Sequence, residues 1–358
     1  MISKLFKRRC SPIGVDIGSR SIKLVQLSAD HNQLIDAASG PRLDDGTQPP
    51  GEQAQTDQLT DSLARVLDGR GFRGRDAVIC LNQRHLFLQN IRVPKAEGDA
   101  LERNIQQEAA GRIPFPVSEA EIRYLEAADI RHGDTVMREV ILMACHRPVL
   151  EQSIELVERA GLRPVAVDVE PAAMVRSHVS QFRRDQDRDI RSMLVQVGHS
   201  STAVAIVQGD EVLFIKYIEL GGRNLDEAVA QRLQMQISDA SALRRHNGDR
   251  RSDRQDPEIS RSVAEAIRPL VERLGSELSK CVRYHSVTFR GIPLSRLVLS
   301  GGEATQQLLD LLSKRLGLRA DLSDPLRVYP TRANSARQGQ WDVATGLALS
   351  SWRKTTCR

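Results

Sequence analysis

One pattern occurs twice in this chain, and that repetition constrains the fold more than any other feature. Ile13-Gly-Val-Asp16-Ile-Gly18-Ser19-Arg20-Ser21-Ile-Lys23-Leu-Val25 aligns with Met193-Leu-Val-Gln196-Val-Gly198-His199-Ser200-Ser201-Thr-Ala-Val-Ala205 at an offset of 180 residues (196 − 16). Both copies read as apolar strand, Gly-polar turn and returning apolar strand. After a polar break each is followed by a third apolar run, Gln33–Ala38 and Glu211–Ile218. At 358 residues the chain is long enough for two lobes of 100–200 residues. Two lobes with the same hairpin core, facing one another, would set their Gly-Ser turns on opposite sides of a cleft.

The turn chemistry suits phosphate. Glycine lets backbone N–H groups approach an anion closely, and serine hydroxyls add donors. The candidates are Gly18, Ser19, Arg20, Ser21 and Lys23 in the first copy, and Gly198, His199, Ser200 and Ser201 in the second. Lys23 is placed to return along the hairpin and meet a phosphate as a point charge. Asp16, at a strand end, would reach Mg²⁺ mostly through water, because Mg²⁺ gives up its hydration shell reluctantly. Either turn taken alone reads as a plain hairpin, and His199 is equally an exposed turn histidine; the pairing of the turns is what favours a ligand.

Between the copies, a strand over 86–93 leads past Pro94 to a helix with Leu101, Ile105 and Ala109 on one face, ended by Ile113-Pro114-Phe115-Pro116. Strands over 121–127 and 136–145 follow, with Arg131-His132-Gly133-Asp134 as their turn, and then a helix over 147–161. This β-α-β-β-α block, about 86–164, reads as a subdomain inserted into the first lobe. A short helix is expected at Leu59–Leu67. The stretch 244–257 (RRHNGDRRSDRQDP) reads as a disordered surface loop. Beyond it, Ile259 to Val282 stepping by three or four predicts one long amphipathic helix containing Pro269.

Composition removes several classes. Aromatics are 4% and the net charge is only +5, with Arg and Asp interspersed, so no nucleic-acid stripe is expected. Five scattered cysteines with no CxxC pair suggest neither zinc nor a disulfide framework. No run of 18 apolar residues appears, and the basic start (Lys4, Lys7, Arg8, Arg9) has no apolar h-region after it. It reads as a solvated tail, with contact to anionic lipid as the alternative.

Six segments, in order, resemble the motifs of the actin-like ATPase superfamily. Val15–Lys23 and Val195–Thr202 are similar to its two phosphate motifs. Glu170-Pro171-Ala172-Ala173 is similar to the first connecting motif, which implies that Glu170 positions an attacking water. Gly221-Gly222-Arg-Asn-Leu-Asp226 resembles a segment near the nucleotide. Leu299-Ser-Gly301-Gly302-Glu-Ala304 is similar to the adenosine motif, and Ala344-Thr-Gly346-Leu-Ala-Leu349 to the second connecting helix. The resemblance implies an α/β, actin-like (ribonuclease H-like) two-lobed fold that binds ATP with Mg²⁺. It places the lobes at 1–192 and 193–358, with an upper part of the second lobe over about 223–290. A C-terminal helix over about 343–351 would pack back on the first lobe.

The inserted block, Glu108…Ile113-Pro-Phe-Pro116 and Val167-Asp-Val-Glu-Pro171 narrow the resemblance to the PilM family of type IV pilus assembly, related to FtsA. That implies a cytoplasmic protein peripheral to the inner membrane. Its partner would be the cytoplasmic N-terminal tail of a PilN-like bitopic protein of the pilus platform, lying beside the inserted subdomain; self-association is also open. One departure bears on catalysis: Gln196 stands where the second phosphate motif usually has Asp. A neutral amide cannot supply that carboxylate, so slow or absent hydrolysis is expected. The alternatives are an FtsA-like filament-forming division protein and a sugar- or acetate-kinase-type phosphotransferase. Ser351-Trp352-Arg353-Lys354 is too short for a terminal membrane helix.

Overall fold

The computed structural model describes residues 10–42, 52–132, 135–248, 256–289, 292–329 and 337–350. The basic start, the turn residues Gly133 and Asp134, residues 249–255 and the 351–354 stretch lie outside the described residues. The chain divides into two compact units. One comprises Met1–Arg183, Asp324–Asn334 and Trp341–Arg358; the other comprises Arg184–Ser323 and Ser335–Gln340.

In the first unit, β1 (Ile13–Ile17), β2 (Ser21–Leu27) and β3 (Leu34–Pro41) form an antiparallel meander. β4 (Asp76–Leu81) and β8 (Arg163–Val169) add parallel to β1, giving the order β3-β2-β1-β4-β8. Successive side chains of a strand point to opposite faces, and β2 is apolar on both. Ile22 and Leu24 pack with Leu63 and Val66 of α1 (Glu52–Leu67) and with Leu156 and Val157 of α3 (Arg147–Arg159). Val25 and Leu27 pack with Leu326, Tyr329 and Trp341 on the other side. The first helix is longer than the expected 59–67: its opening turns, with Glu and three Gln, favour helix but show no apolar periodicity.

The inserted block forms its own antiparallel sheet in the order β5-β7-β6, from β5 (Leu86–Pro94), β6 (Ala120–His132) and β7 (Thr135–His146). Helix α2 (Gly98–Ala110) lays Leu101, Ile105 and Ala109 on Ile91, Val93, Val140 and Leu142. Two helices then cover the parent sheet, α4 (Glu170–Ser180) and α9 (Asp342–Ala348). Small residues close both the α4–α9 crossing and the seat of α9 on β1. A Cβ on Gly346 would lie 1.9 Å from the Ala173 carbonyl oxygen, and one on Gly14 2.0 Å from the Ala344 carbonyl oxygen.

The second unit repeats the sheet strand for strand. β9 (Arg191–Val197), β10 (Thr202–Gln208) and β11 (Glu211–Ile218) are antiparallel; β12 (Arg296–Ser300) and β13 (Arg319–Leu322) are parallel to β9, in the order β11-β10-β9-β12-β13. The helices are α5 (Gly222–Leu233), α6 (Ile237–Gly248), α7 (Pro257–Thr288, running through Pro269) and α8 (Gln306–Leu316). Here one expectation is corrected. The stretch from residue 244 is not loop at its start: α6 continues to Gly248, and Arg244 is buried at 8% exposure.

Candidate functional site

The two turns close in the same way. The Gly18 N–H donates to the Ser21 carbonyl at 3.1 Å, and the Gly198 N–H to the Ser201 carbonyl at 2.9 Å. Each glycine is required by a close approach. A Cβ on Gly18 would come within 2.9 Å of the Ser21 oxygen, and one on Gly198 within 3.0 Å of the Ser201 oxygen. Ser19, Arg20, Ser21, His199, Ser200 and Ser201 are all half-buried around these turns. The structure adds Arg42 to the first turn: its backbone N–H donates to the Arg20 carbonyl at 3.0 Å, and Nη1 reaches the Gly18 carbonyl at 3.5 Å.

Asp16 and Lys23 face each other across β1 and β2, and Lys23 Nζ lies 2.9 Å from Asp16 Oδ2. Their side chains are 13% and 11% exposed. The cation expected to meet a phosphate is thus already shared with the candidate metal carboxylate. In the second hairpin the corresponding cross-strand pair is Gln196 and Ala203, so neither charge of the first pair is repeated.

The C-terminal ends of β1, β4 and β8 lie side by side and carry Asp16, Cys80 and Asp168. Glu170 opens α4 just beyond. Burial raises the Cys80 thiol pKa well above its ordinary value, and the nearby carboxylates of Asp16, Glu170 and Asp168 raise it further. The strand register and the start of α4 thus bring Asp16, Asp168 and Glu170 to the same edge of the sheet. Arg176 of α4 pairs with Asp168 and also donates to the Gly346 carbonyl at 2.8 Å.

In the second unit, three separate motifs meet. The Gly222 N–H donates to the Gly198 carbonyl at 2.9 Å and the Arg223 N–H to the His199 carbonyl at 2.7 Å, so the N-terminus of α5 sits on the turn. A Cβ on Gly221 would lie 2.6 Å from the His199 oxygen. Behind them Glu303 donates its N–H to the Val197 carbonyl at 3.1 Å. Gly301 has φ +98° and passes so close to β9 that a Cβ would stand 2.3 Å from the Val197 oxygen. The Gly301 N–H is held by the Gly339 carbonyl at 2.9 Å.

Glu303 itself is 3% exposed and is met by three guanidiniums. Arg244 Nη1 is 2.8 Å from Oε2, Arg245 Nη1 2.5 Å from Oε1, and Arg337 Nη1 3.3 Å from Oε2. Burial alone would raise its carboxyl pKa; Arg244, Arg245 and Arg337 outweigh that and hold it below the usual value. Arg244 Nε also binds buried Asp226 of α5 at 2.7 Å.

A groove of about 440 Å³ lies wholly within the first unit, where the inserted sheet meets the ends of β4 and β8. Its lining is mainly apolar, including Leu81, Leu86, Tyr124, Leu125, Met143 and Leu150, with Glu121, Arg123 and Asp168 supplying charge.

With this geometry in place, the comparisons with known proteins are decisive on kinship. The pattern that defines the family "Type IV pilus assembly protein PilM" matches residues 14–352. The chain belongs to that family. A solved chain of the PilM–PilN type IV pilus biogenesis complex superposes with a TM-score of 0.76 at 25% identity, covering 95% of this chain and 98% of that one. The cell division protein FtsA of Bacillus subtilis (strain 168) is 20% identical over 375 residues, 94% of this chain and 82% of FtsA. The ethanolamine utilization protein EutJ of Carboxydothermus hydrogenoformans shares the fold, with a TM-score of 0.57 at 15% identity over 96% of this chain and 90% of its own. The fold is the actin-like α/β one, and this PilM-family chain is FtsA-related.

Within that frame, the structure brings Asp16, Gly18–Lys23 and Glu170 into the first unit, and Gly198–Ser201, Gly221–Gly222 and Gly301–Gly302 into the second. Sequence reasoning missed Arg42, Asp168, Arg244, Arg245, Glu303 and Arg337. Asp168 and Glu303 sit inside motifs it had singled out, Val167–Pro171 and Leu299–Ala304, which was the available signal. Among the described residues no helix is long and apolar enough to cross a membrane, and no cluster of three His, Cys, Asp or Glu side chains could hold a metal unaided.

Proposed function

We propose that this PilM-family chain is an ATP-binding adaptor that holds an extended tail of a PilN-like inner-membrane protein and hydrolyses nucleotide slowly or not at all. The single observation that carries the nucleotide part is the duplicated turn. Two hairpins 180 residues apart (198 − 18) are closed by the same Gly-to-Ser backbone bond. Each glycine lets its turn close this tightly on the serine carbonyl, and the half-buried polar residues that follow it carry the donors an anion would meet.

The residues fit ATP with Mg²⁺. Ser19 and Ser21 at the first turn, and Ser200 and Ser201 at the second, would offer hydroxyl donors to phosphate oxygens. Lys23 and Arg42 add positive charge at the first turn, and Asp16 would hold the metal's water shell. The metal supplies charge neutralisation at the phosphates. Glu170 would orient water, with Asp168, which is paired with Arg176, beside it. With Gln196 in place of a second strand-end carboxylate, the second turn contributes binding but no base.

The tail-binding part rests on the groove beside the inserted sheet. Its apolar lining and strand-bordered edge suit an extended apolar segment, and a related chain has been solved in a PilM–PilN complex. Binding of ATP would favour one arrangement of the chain and so set the affinity for the tail. Calorimetric titration with ATP tests the core of this reading. Saturable binding that tightens with Mg²⁺ and weakens in Gly18→Val is expected; absence of binding at millimolar ATP would remove the nucleotide from the account.

A further inference from the structure

The nucleotide reading leaves one buried cluster without a role, and it stands directly behind Gly301 and Gly302. Glu303 is the point where three segments of the second unit are tied together. Arg244 and Arg245 reach it from α6, and Arg337 reaches it from the segment that precedes Gly339. The same cations grip the turn itself. Arg337 Nη1 donates to the Gly302 carbonyl at 2.5 Å, and Arg245 Nη1 to the same oxygen at 3.3 Å. The Glu303 side chain also crosses the start of α5: a Cβ on Gly222 would lie 2.6 Å from its carboxyl carbon.

The charges do not cancel within the cluster. Three guanidiniums surround two carboxylates, Glu303 and Asp226. Removing the Glu303 charge would leave two buried guanidiniums, Arg244 and Arg337, and the half-buried Arg245 without the carboxylate they share, and like charges at this distance repel strongly where water is excluded. Arg245 would then leave the Gly302 carbonyl. Asp226 still holds Arg244 through Nε.

We propose that Glu303 is a positioning residue for the nucleoside end of the bound nucleotide: by holding Arg245 of α6 and Arg337 against the Gly301–Gly302 turn, with Arg244 tying it to Asp226 of α5, it fixes the surface on which the nucleoside rests. Glu303 touches no ligand in this account. It acts through the arginines and the Gly302 carbonyl, and it rests on the reading of the chain as a nucleotide binder. The phosphate turns at Gly18 and Gly198 are built by separate backbone bonds. Loss of Glu303 therefore separates nucleoside recognition from phosphate recognition.

The experiment compares MgATP with Mg-tripolyphosphate, which keeps the phosphates and lacks the nucleoside, by calorimetry on the full chain. In wild type, ATP should bind at least tenfold more tightly than tripolyphosphate. Glu303→Gln, which preserves shape and removes charge, should weaken ATP about tenfold and leave tripolyphosphate within twofold. Thermal melting identifies a variant that fails to fold. In that event Arg245→Gln, at a partly exposed position (23% of the side chain), gives the same test, with ATP weakened several-fold and tripolyphosphate unchanged. Parallel weakening of both ligands, or no change in either, overturns the proposal, since a purely structural role gives no split. Wild-type protein that binds tripolyphosphate but gains nothing from the nucleoside overturns the Glu303 role alone; binding of neither removes the nucleotide reading with it.

Discussion

The Asp16–Lys23 pair permits a quantitative test, because the separation is short and the exposure low. At 2.9 Å and an effective dielectric near 20, the Coulomb attraction is about 6 kcal/mol. Most of that is offset by desolvating both ions. Lys23→Met removes the cation and leaves a carboxylate that is only 13% exposed. Breaking a buried pair from one side costs roughly 3–5 kcal/mol, and the residual water access brings the expectation down to about 2.5 kcal/mol. Asp16→Asn should cost about the same. The double variant buries no lone charge, and should lie only about 2 kcal/mol below wild type, a coupling of about 3 kcal/mol. Urea unfolding followed by fluorescence provides the assay, since Trp341 is buried in the core of this unit and its signal is local. A coupling below about 0.5 kcal/mol, with the singles simply adding, would refute the reasoning. Repeating the cycle with MgATP separates the structural from the ligand role of Lys23: nucleotide should stabilise wild type and give little to Lys23→Met.

Three further outcomes are expected. Gly346→Ala would place a Cβ 1.9 Å from the Ala173 carbonyl oxygen, so α4 and α9 must separate, at a cost of about 2–3 kcal/mol in the same unfolding assay; an unchanged midpoint would mean the crossing is looser than described. Gln196→Asp supplies the second hairpin with a strand-end carboxylate and should raise phosphate release from ATP by roughly tenfold or more; an unaltered rate would remove Gln196 from the proposed account of slow hydrolysis. His285, 1% exposed, has its pKa lowered from 6.5 to about 4, chiefly by burial and then by Arg191. The folded state keeps it neutral while the unfolded chain protonates below pH 6.5. Its contribution to stability is therefore intact above 6.5 and falls by up to about 1.4 kcal/mol per pH unit between 6.5 and about 4. His285→Gln should flatten that slope relative to wild type, and an identical slope in both would contradict the assignment.

What the sequence revealed and what it hid follow from one physical distinction. The hairpins, the inserted β-α-β-β-α block and α7 announce themselves because their apolar residues recur at strand or helix period. The duplication was legible for the same reason, and the two five-stranded sheets repeat it strand for strand. Polar residues carry no such signal. Arg244 and Arg245 sit in a run whose composition argues exposure, yet they turn inward because Asp226 and Glu303 lie waiting 18 and 58 residues away respectively. A buried ion network looks like surface until the fold brings its partners together. Lys23 was hidden differently: the spacing put it near a phosphate, but only the β1–β2 register sets it directly opposite Asp16. The groove between the inserted sheet and the parent strands could not be read at all, since Tyr124, Met143 and Leu81 are ordinary strand residues until three elements converge.

The most direct test of the adaptor is fluorescence anisotropy of a labelled synthetic peptide carrying the cytoplasmic N-terminal segment of a PilN-like protein, titrated with the full chain with and without MgATP. Saturable binding is predicted, tighter with MgATP, displaced by unlabelled peptide, and abolished by Leu125→Asp in the groove with the melting temperature retained. Absence of saturable binding in both conditions at protein concentrations on the order of 0.1 mM, or binding untouched by Leu125→Asp, would contradict it.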